Sequence, residues 1–157
     1  MSGMSKIVKT ITNIAFPFII IYGLYIIAHG HLTPGGGFQG GAVVASGLAM
    51  IVVAYGSIWT IGKVKEKHLS VFESIGALGF ISLAFLGLIF GTMFFNNYLV
   101  KNDILFGKDA IIGGTVNFNS AGIIPLMNFA VGLKVIAGLF AIVLIMAYAT
   151  SRKEAVK

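Results

Sequence analysis

Four long hydrophobic runs make up most of the chain, and short polar or glycine-rich connections separate them. Each run is long enough to cross a bilayer, which takes about 17 to 25 residues. The pattern predicts transmembrane helices at about 7–28, 41–61, 69–95 and 121–149, with one sizeable outer loop at 96–120. We therefore predict an all-α, polytopic membrane protein with four transmembrane helices, in which 1–157 forms a single membrane domain.

The composition excludes several classes of protein. Hydrophobic residues make up 57% of the 157 residues, and charged residues only 10%. A soluble domain has about 25% charged residues, so this chain is neither a water-soluble enzyme nor a nucleic-acid-binding domain. The chain has no Cys, which removes disulfides, thiolate nucleophiles and cysteine-ligated metals. We expect no catalytic residue, no cofactor and no metal site in this chain.

The basic residues predict how the chain is oriented in the membrane. Most of them lie at the two termini and in the second connection, namely Lys6, Lys9, Lys63, Lys65, Lys67, Arg152, Lys153 and Lys157. Only Lys101 and Lys108 lie in the predicted outer loop. Because short cytoplasmic segments carry an excess of Lys and Arg, we expect both termini in the cytoplasm and the protein in the cell membrane.

The first connection is unusually rich in glycine and reads HGHLTPGGGFQGG from His29 to Gly41. A phosphate-binding loop would need Lys followed by Ser or Thr after its last glycine, but Ala42 follows here. Pro34 interrupts the helical pattern, and glycines permit very close backbone contacts. We expect this turn to pack against partner helices, with Phe38 as its bulky apolar anchor.

This connection resembles the signature of the B-type subunit of the multisubunit Mrp-type Na+/H+ antiporters. The pattern Gly-His-x-x-Pro-Gly-Gly-Gly-Phe-x-Gly-Gly is matched at Gly30, His31, Pro34, Gly35, Gly36, Gly37, Phe38, Gly40 and Gly41. That family includes homologous subunits of archaeal membrane-bound hydrogenase and sulfur-reductase complexes. Bacterial members tend to carry an acidic residue near the start of the last span, where this chain has Asn128, and this difference favours the archaeal type.

The resemblance implies a non-catalytic membrane subunit of a cation/proton antiporter module, with Na+ and H+ as the transported ions. It also implies that the partners are other membrane subunits within the lipid bilayer. An alternative is a purely structural spacer that joins antiporter-like subunits and has no direct role in ion transfer. His31 of the signature is one candidate for the ion or proton route.

Lys134 is the most unusual residue of the predicted spans. It lies about 16 Å from one end of its helix and about 24 Å from the other, too deep for the ammonium to reach the headgroups. A charge at such depth is rare and indicates a functional site. Two interpretations stay open, a place in the ion or proton route and a static ion pair with a neighbouring subunit.

Glu73 is a second charge inside a predicted span, about 9 Å beyond Lys67 along the helix. Small residues such as Gly76 share its face, which is typical of a packed helix interface. We expect its depth to differ from that of Lys134 by about 10–15 Å, so that the two do not pair directly. Glu73 is therefore a route candidate with a partner elsewhere, or else an interfacial residue near the headgroups.

Overall fold

The computed structural model describes residues 4–32, 34–91, 93–101 and 121–155. Regular structure in these segments is helical and comprises α1 (Lys6–Ala28), α2 (Gly37–Tyr55), α3 (Ser57–Lys63), α4 (Glu66–Gly91), a 3-10 turn (Tyr98–Lys101) and α5 (Ile124–Ala155). The helices α1, α2, α4 and α5 are long and apolar enough to cross a membrane. The prediction of an all-α chain with four transmembrane helices is thus confirmed, while 102–120 of the predicted outer loop lies outside the described residues.

The predicted span at 41–61 is wrong at both ends. Helix α2 begins at Gly37, so three glycines of the signature belong to its first turns rather than to a loop. It ends at Tyr55 because Gly56 has a φ of 90°, a backbone conformation that favours glycine. The remaining residues of the hydrophobic run form the separate short helix α3. Hydrophobicity alone did not show this break, since the run from Gly41 to Ile61 is mostly apolar both before and after Gly56.

The long helices pack side by side in the spatial order α1, α2, α5, α4. Helix α5 therefore lies between α2 and α4, and α4 packs chiefly on α5. Neighbours α1 and α2 are antiparallel, as are α4 and α5, whereas α2 and α5 run in the same direction. This arrangement leaves α5 as the element through which the two halves of the chain contact each other.

Several contacts bring the basic residues to one end of the bundle. The backbone nitrogen of Met4 donates to the carbonyl of Ala54 at 3.0 Å, which joins the start of α1 to the end of α2. At the same end, the buried hydroxyls of Ser57 and Ser151 are 2.8 Å apart and link α3 to α5. A core of Val52, Leu69, Phe140 and Leu144 lies beside them. We call this the basic end, because the helix termini that carry the lysines meet there.

At the opposite end, Asn97 connects the segment after α4 to the segment before α5. Its side-chain nitrogen donates to the carbonyl of Ala121 at 2.9 Å, and its side-chain oxygen accepts from the backbone nitrogen of Ile123 at 2.9 Å. Asn97 thus satisfies the backbone nitrogen of Ile123 and adds a second donor to the carbonyl of Ala121, which also accepts from the backbone nitrogen of Ile124 at 3.3 Å. This end of the bundle also carries the glycine-rich turn, and we call it the glycine end.

Candidate functional site

The glycines of the signature pack against helices of their own chain. A Cβ added at Gly40 would lie 2.7 Å from the carbonyl oxygen of Gly23 and 2.8 Å from the backbone nitrogen of Ile27, both in α1. A Cβ at Gly41 would lie 2.9 Å from the Cβ of Val135 in α5. These distances are shorter than real Cβ contacts, so only glycine permits this approach of α2 to both neighbours.

Asn128 of α5 lies against the glycine-rich turn. Its side-chain nitrogen is 2.8 Å from the Cβ position of Gly30, and its backbone carbonyl occupies the Cβ position of Gly37. Gly36 has a φ of 153°, a conformation that side-chain-bearing residues rarely adopt. The backbone of the turn and of the start of α2 therefore packs closely against α5. The sequence marked Asn128 only as a departure from the bacterial pattern and gave no signal that it contacts this turn.

An open cavity of about 380 Å³ adjoins this contact and is lined by Gly35, Gly36, Gly37, Phe38, Gln39, Asn128 and Val131. The side-chain nitrogen of Asn128 is buried and has no hydrogen-bond partner among the described residues. The Nδ1 atom of His31 is also buried, while Pro34 is exposed. Within the described segments, no group of three or more His, Cys, Asp or Glu residues could hold a metal ion.

Phe38 does not anchor the turn within this chain. Its side chain is 63% exposed, although the glycines on both sides of it are buried. The expectation that the whole turn packs against partner helices is therefore wrong for the glycines, which contact α1 and α5. Among the described residues of the turn, Pro34, Phe38 and Gln39 are exposed, and Phe38 is the one with a large apolar side chain.

The contact between α4 and α5 is equally close and lies nearer the middle of the bundle. A Cβ added at Gly76 would lie 2.7 Å from the carbonyl oxygen of Ala130 and 2.7 Å from the backbone nitrogen of Lys134. One turn towards the glycine end, a Cβ at Gly79 would be 3.6 Å from the Cβ of Ala130. We call this contact, together with Glu73 and Gly138, the α4–α5 seam.

The seam places Glu73 much closer to Lys134 than the sequence suggested. The carboxyl carbon of Glu73 lies 3.7 Å from the Cβ position of Gly138, one turn beyond Lys134. Gly76, one turn beyond Glu73, lies against Lys134 itself, so the Cα atoms of Glu73 and Lys134 differ in height by only about 5 Å. The expected difference of 10–15 Å was wrong because α5 extends past the basic end. The helix ends that served as reference points are therefore not at the same height.

Lys134 itself is exposed in the isolated chain, and Glu73 is half-buried. Within the described part of the chain, no acidic side chain lies within ion-pair distance of Lys134. Lys134 begins about 15 Å from the start of α5, which is too far for its ammonium to reach the end of the helix. The seam therefore presents the side chain of Lys134 on an exposed face, far from both ends of α5.

Comparison with known proteins supports the resemblance that the turn suggested. An uncharacterized protein of Methanocaldococcus jannaschii is 37% identical over 145 residues, which cover 88% of this chain and 52% of that protein. A Staphylococcus aureus protein with the provisional name antiporter subunit mnhB2 is 27% identical over 95 residues, covering 59% of this chain and 64% of that protein.

A chain in the solved structure of the membrane-bound sulfane sulfur reductase, an archaeal respiratory membrane complex, has a similar fold. The TM-score is 0.66 at 31% identity, and the match covers 93% of this chain and 61% of that chain. This chain thus spans about half to two thirds of the length of the relatives it matches.

A protein-family model, described as a domain related to the MnhB subunit of Na+/H+ antiporter, matches residues 7–151. The match includes all four long helices and both the glycine-rich turn and the α4–α5 seam. The family that the sequence suggested is therefore confirmed. Because the match covers nearly the whole chain, the protein belongs to the family of domains related to the MnhB subunit of Na+/H+ antiporters.

Proposed function

We propose that this chain is a non-catalytic membrane subunit of a multisubunit antiporter module that exchanges Na+ and H+. The family membership and the similarity to a chain of an archaeal respiratory membrane complex support this proposal. Four transmembrane helices without an internal repeat are too few to form a complete transport path, which usually lies between repeated helix bundles. The chain would therefore contribute one side of a path that other membrane subunits complete.

The observation that carries the proposal is the position of Lys134. An ammonium at the centre of a bilayer costs about 2.5–3.5 kcal/mol on insertion scales unless protein or water surrounds it. Lys134 is exposed on this chain, so a neighbouring subunit or a polar cavity that covers this face in the assembled complex would shield its ammonium from lipid. We infer that Lys134 lines the shared ion or proton route. Glu73 is the second route residue, and His31 is the candidate at the glycine end.

The distribution of charge also supports an orientation. The basic residues of α1, α3 and α5 meet at the basic end, and cytoplasmic ends of membrane proteins carry such an excess. We infer that the basic end and both termini face the cytoplasm and that the protein resides in the cell membrane. The glycine-rich turn would then lie on the outer side.

Na+/H+ exchange in inverted membrane vesicles that contain the assembled complex tests the role of Lys134. We expect Lys134→Ala and Lys134→Glu to reduce exchange at least tenfold, as the loss of a positioned charged group does, when exchange is measured at a temperature at which the variant complexes stay assembled. Lys63→Ala is the matched control, because Lys63 is an exposed lysine at the basic end. Normal exchange in both Lys134 variants would contradict this role.

A structural spacer is the second candidate function. The exposed side chain of Phe38 favours it, since a large aromatic group beside an open cavity is typical of an interface with another subunit. If the chain is a structural spacer, both Lys134 variants should show normal Na+/H+ exchange. Substitutions on its exposed face should instead cause the loss of neighbouring subunits. Replacing Gly36 or Gly40 cannot separate the two functions, because these glycines pack within the chain itself.

Which larger complex contains this chain is a separate question. The chain could belong to a stand-alone antiporter or to the membrane part of a redox-driven complex, as its fold similarity to the sulfane sulfur reductase chain suggests. Mass spectrometry of the chains that co-purify with this one distinguishes the two. We expect subunits with iron–sulfur motifs, and a preparation that contains only antiporter-like membrane chains would contradict the redox assignment.

A further inference from the structure

We propose that Glu73 and Lys134 form a charge pair within the membrane, across the α4–α5 seam. In this pair the ammonium of Lys134 reaches over Gly138 to the carboxylate of Glu73. The pair is a property of this chain and does not require Lys134 to take part in ion transfer. It gives each of the two charges a partner without help from another subunit.

The distances allow the pair to form by a change of side-chain rotamer alone. The carboxylate oxygens of Glu73 lie 3.7 and 4.0 Å from the Cβ position of Gly138. Lys134 is four residues before Gly138 on α5, and residues with this spacing have Cβ atoms about 5–6 Å apart on the same face. The four-carbon stem of lysine covers that distance, so no movement of the helices is needed.

Helix geometry explains why the two groups are not within ion-pair distance in the described arrangement. Side chains lean towards the N-terminus of their own helix. Because α4 and α5 are antiparallel, Glu73 leans towards the basic end and Lys134 towards the glycine end. These orientations keep the two charges apart within the spans, whereas the paired rotamer neutralises both.

Two glycines leave the space that the pair needs. Gly76 provides no side chain beneath the stem of Lys134, where a Cβ would approach the Cβ of Lys134 to 2.9 Å. Gly138 has no side chain between the two charges. The remaining acidic residue of α4, Glu66, is in the first turn of that helix at the basic end, about 10 Å from Glu73. Glu73 is therefore the described carboxylate best placed for Lys134.

A double-mutant comparison tests the pair. Glu73→Gln and Lys134→Met each remove one charge and leave the other alone in the membrane, whereas the double variant removes both. We expect each single variant to reduce the fraction of complex that survives heating in native membranes at least about tenfold. The double variant should recover to within about twofold of the unmodified complex. Glu66→Gln combined with Lys134→Met is the matched control and should not recover.

Cysteine cross-linking tests the geometry independently, and the chain offers a cysteine-free background. We expect Glu73→Cys with Gly138→Cys to form a disulfide under mild oxidation in membranes, and Glu66→Cys with Gly138→Cys not to form one. Absence of the first cross-link would overturn the proposal. So would a double variant no more stable than the weaker single variant. Neither measurement uses ion exchange, so failure of the pair and failure of the proposed route are distinguishable.

Discussion

The glycine-rich turn and the α4–α5 seam both contain close contacts between helices at glycine residues, but they differ in what surrounds these contacts. In both, a glycine brings two helix backbones so close that a Cβ would overlap the neighbour. Around the turn, the glycines are enclosed by α1 and α5, and the contact is complete within one chain. Along the seam, the close backbone contact at Gly76 carries two charged side chains at its edge, one of which is exposed.

The difference shows that a high density of glycine does not by itself mark a surface between subunits. The signature glycines pack within this chain, whereas Lys134 and Phe38 are among its exposed side chains. A family signature can therefore report the fold of a subunit more directly than its chemistry. Glycine variants in the two regions should accordingly differ in how strongly they destabilise the isolated chain.

The largest effect is expected at Gly40, in the enclosed region. Gly40→Ala puts a methyl group 2.7 Å from the carbonyl oxygen of Gly23, and α2 cannot move away because α1 and α5 hold it on two sides. We expect a loss of about 3 kcal/mol or more in the free energy of unfolding, measured by thermal unfolding in lipid nanodiscs.

Gly62→Ala is the matched control for Gly40→Ala, because nothing lies within 4 Å of its Cβ position in α3. Alanine should stabilise the helix there by up to about 1 kcal/mol, since glycine is a poor helix former. Equal destabilisation by the two variants would contradict the claim that the signature glycines are packing residues.

Gly76→Ala should give a smaller loss in the seam. Its methyl group would also meet backbone atoms at 2.7 Å, but α4 packs chiefly on α5 and can shift outwards. We expect a loss of about 1–3 kcal/mol in the free energy of unfolding, in the range of overpacked contacts. Gly79→Ala is the control, because its methyl group would make an ordinary contact with Ala130 at 3.6 Å. A loss at Gly79 as large as that at Gly76 would show that the described register of the seam is incorrect.

The sequence predicted the number of transmembrane helices and the family, and both predictions depend on local signals. Hydrophobic runs reveal transmembrane helices because the lipid interior requires apolar side chains. The spacing of the glycines around Phe38 is specific to the family signature. The break at Gly56 was missed, since a glycine within an apolar run does not show the sign of its φ angle. The assignment of Lys134, Glu73 and His31 to an ion route stays a prediction, because the fold alone does not test it.

The relation between Glu73 and Lys134 could not be obtained from hydrophobicity, because it depends on the relative height of two helices. From the sequence, the depth of Glu73 is measured from the start of α4 and that of Lys134 from the ends of α5. These helix ends do not lie at the same height in the bundle. The packing of Leu69 with Leu144 in the core shows how far α5 extends beyond the start of α4. Contacts between residues so far apart in the chain produce no periodic pattern that could be recognised in the sequence.

Asn97→Ala should weaken the connection between the segment after α4 and the start of α5 at the glycine end. The substitution removes two hydrogen bonds of 2.9 Å, to Ala121 and from Ile123, and leaves the backbone before α5 without these partners. We expect a loss of about 1–2 kcal/mol in the free energy of unfolding. Hydrogen exchange should show faster exchange at Ile123 and the first turn of α5, while α1 and α2 stay protected. Unchanged exchange at these positions would contradict the described contact.

The smallest effect on the isolated chain is expected at Phe38, next to one of the most constrained glycines. Phe38→Ala removes a side chain that is 63% exposed, so it should change the free energy of unfolding by no more than about 0.5 kcal/mol. Gly37→Ala, one residue earlier, should destabilise the chain strongly, because the new methyl group would overlap the carbonyl of Asn128.

The same Phe38→Ala chain should nevertheless retain fewer neighbouring membrane subunits during purification, since an exposed aromatic side chain beside a cavity of about 380 Å³ is suited to bind another subunit. Quantitative mass spectrometry of the purified complex measures this loss against the unmodified chain. Unchanged subunit ratios would contradict a role of Phe38 in binding another subunit. A stable chain with fewer partners would separate the residues that fold the subunit from those that join it to its complex.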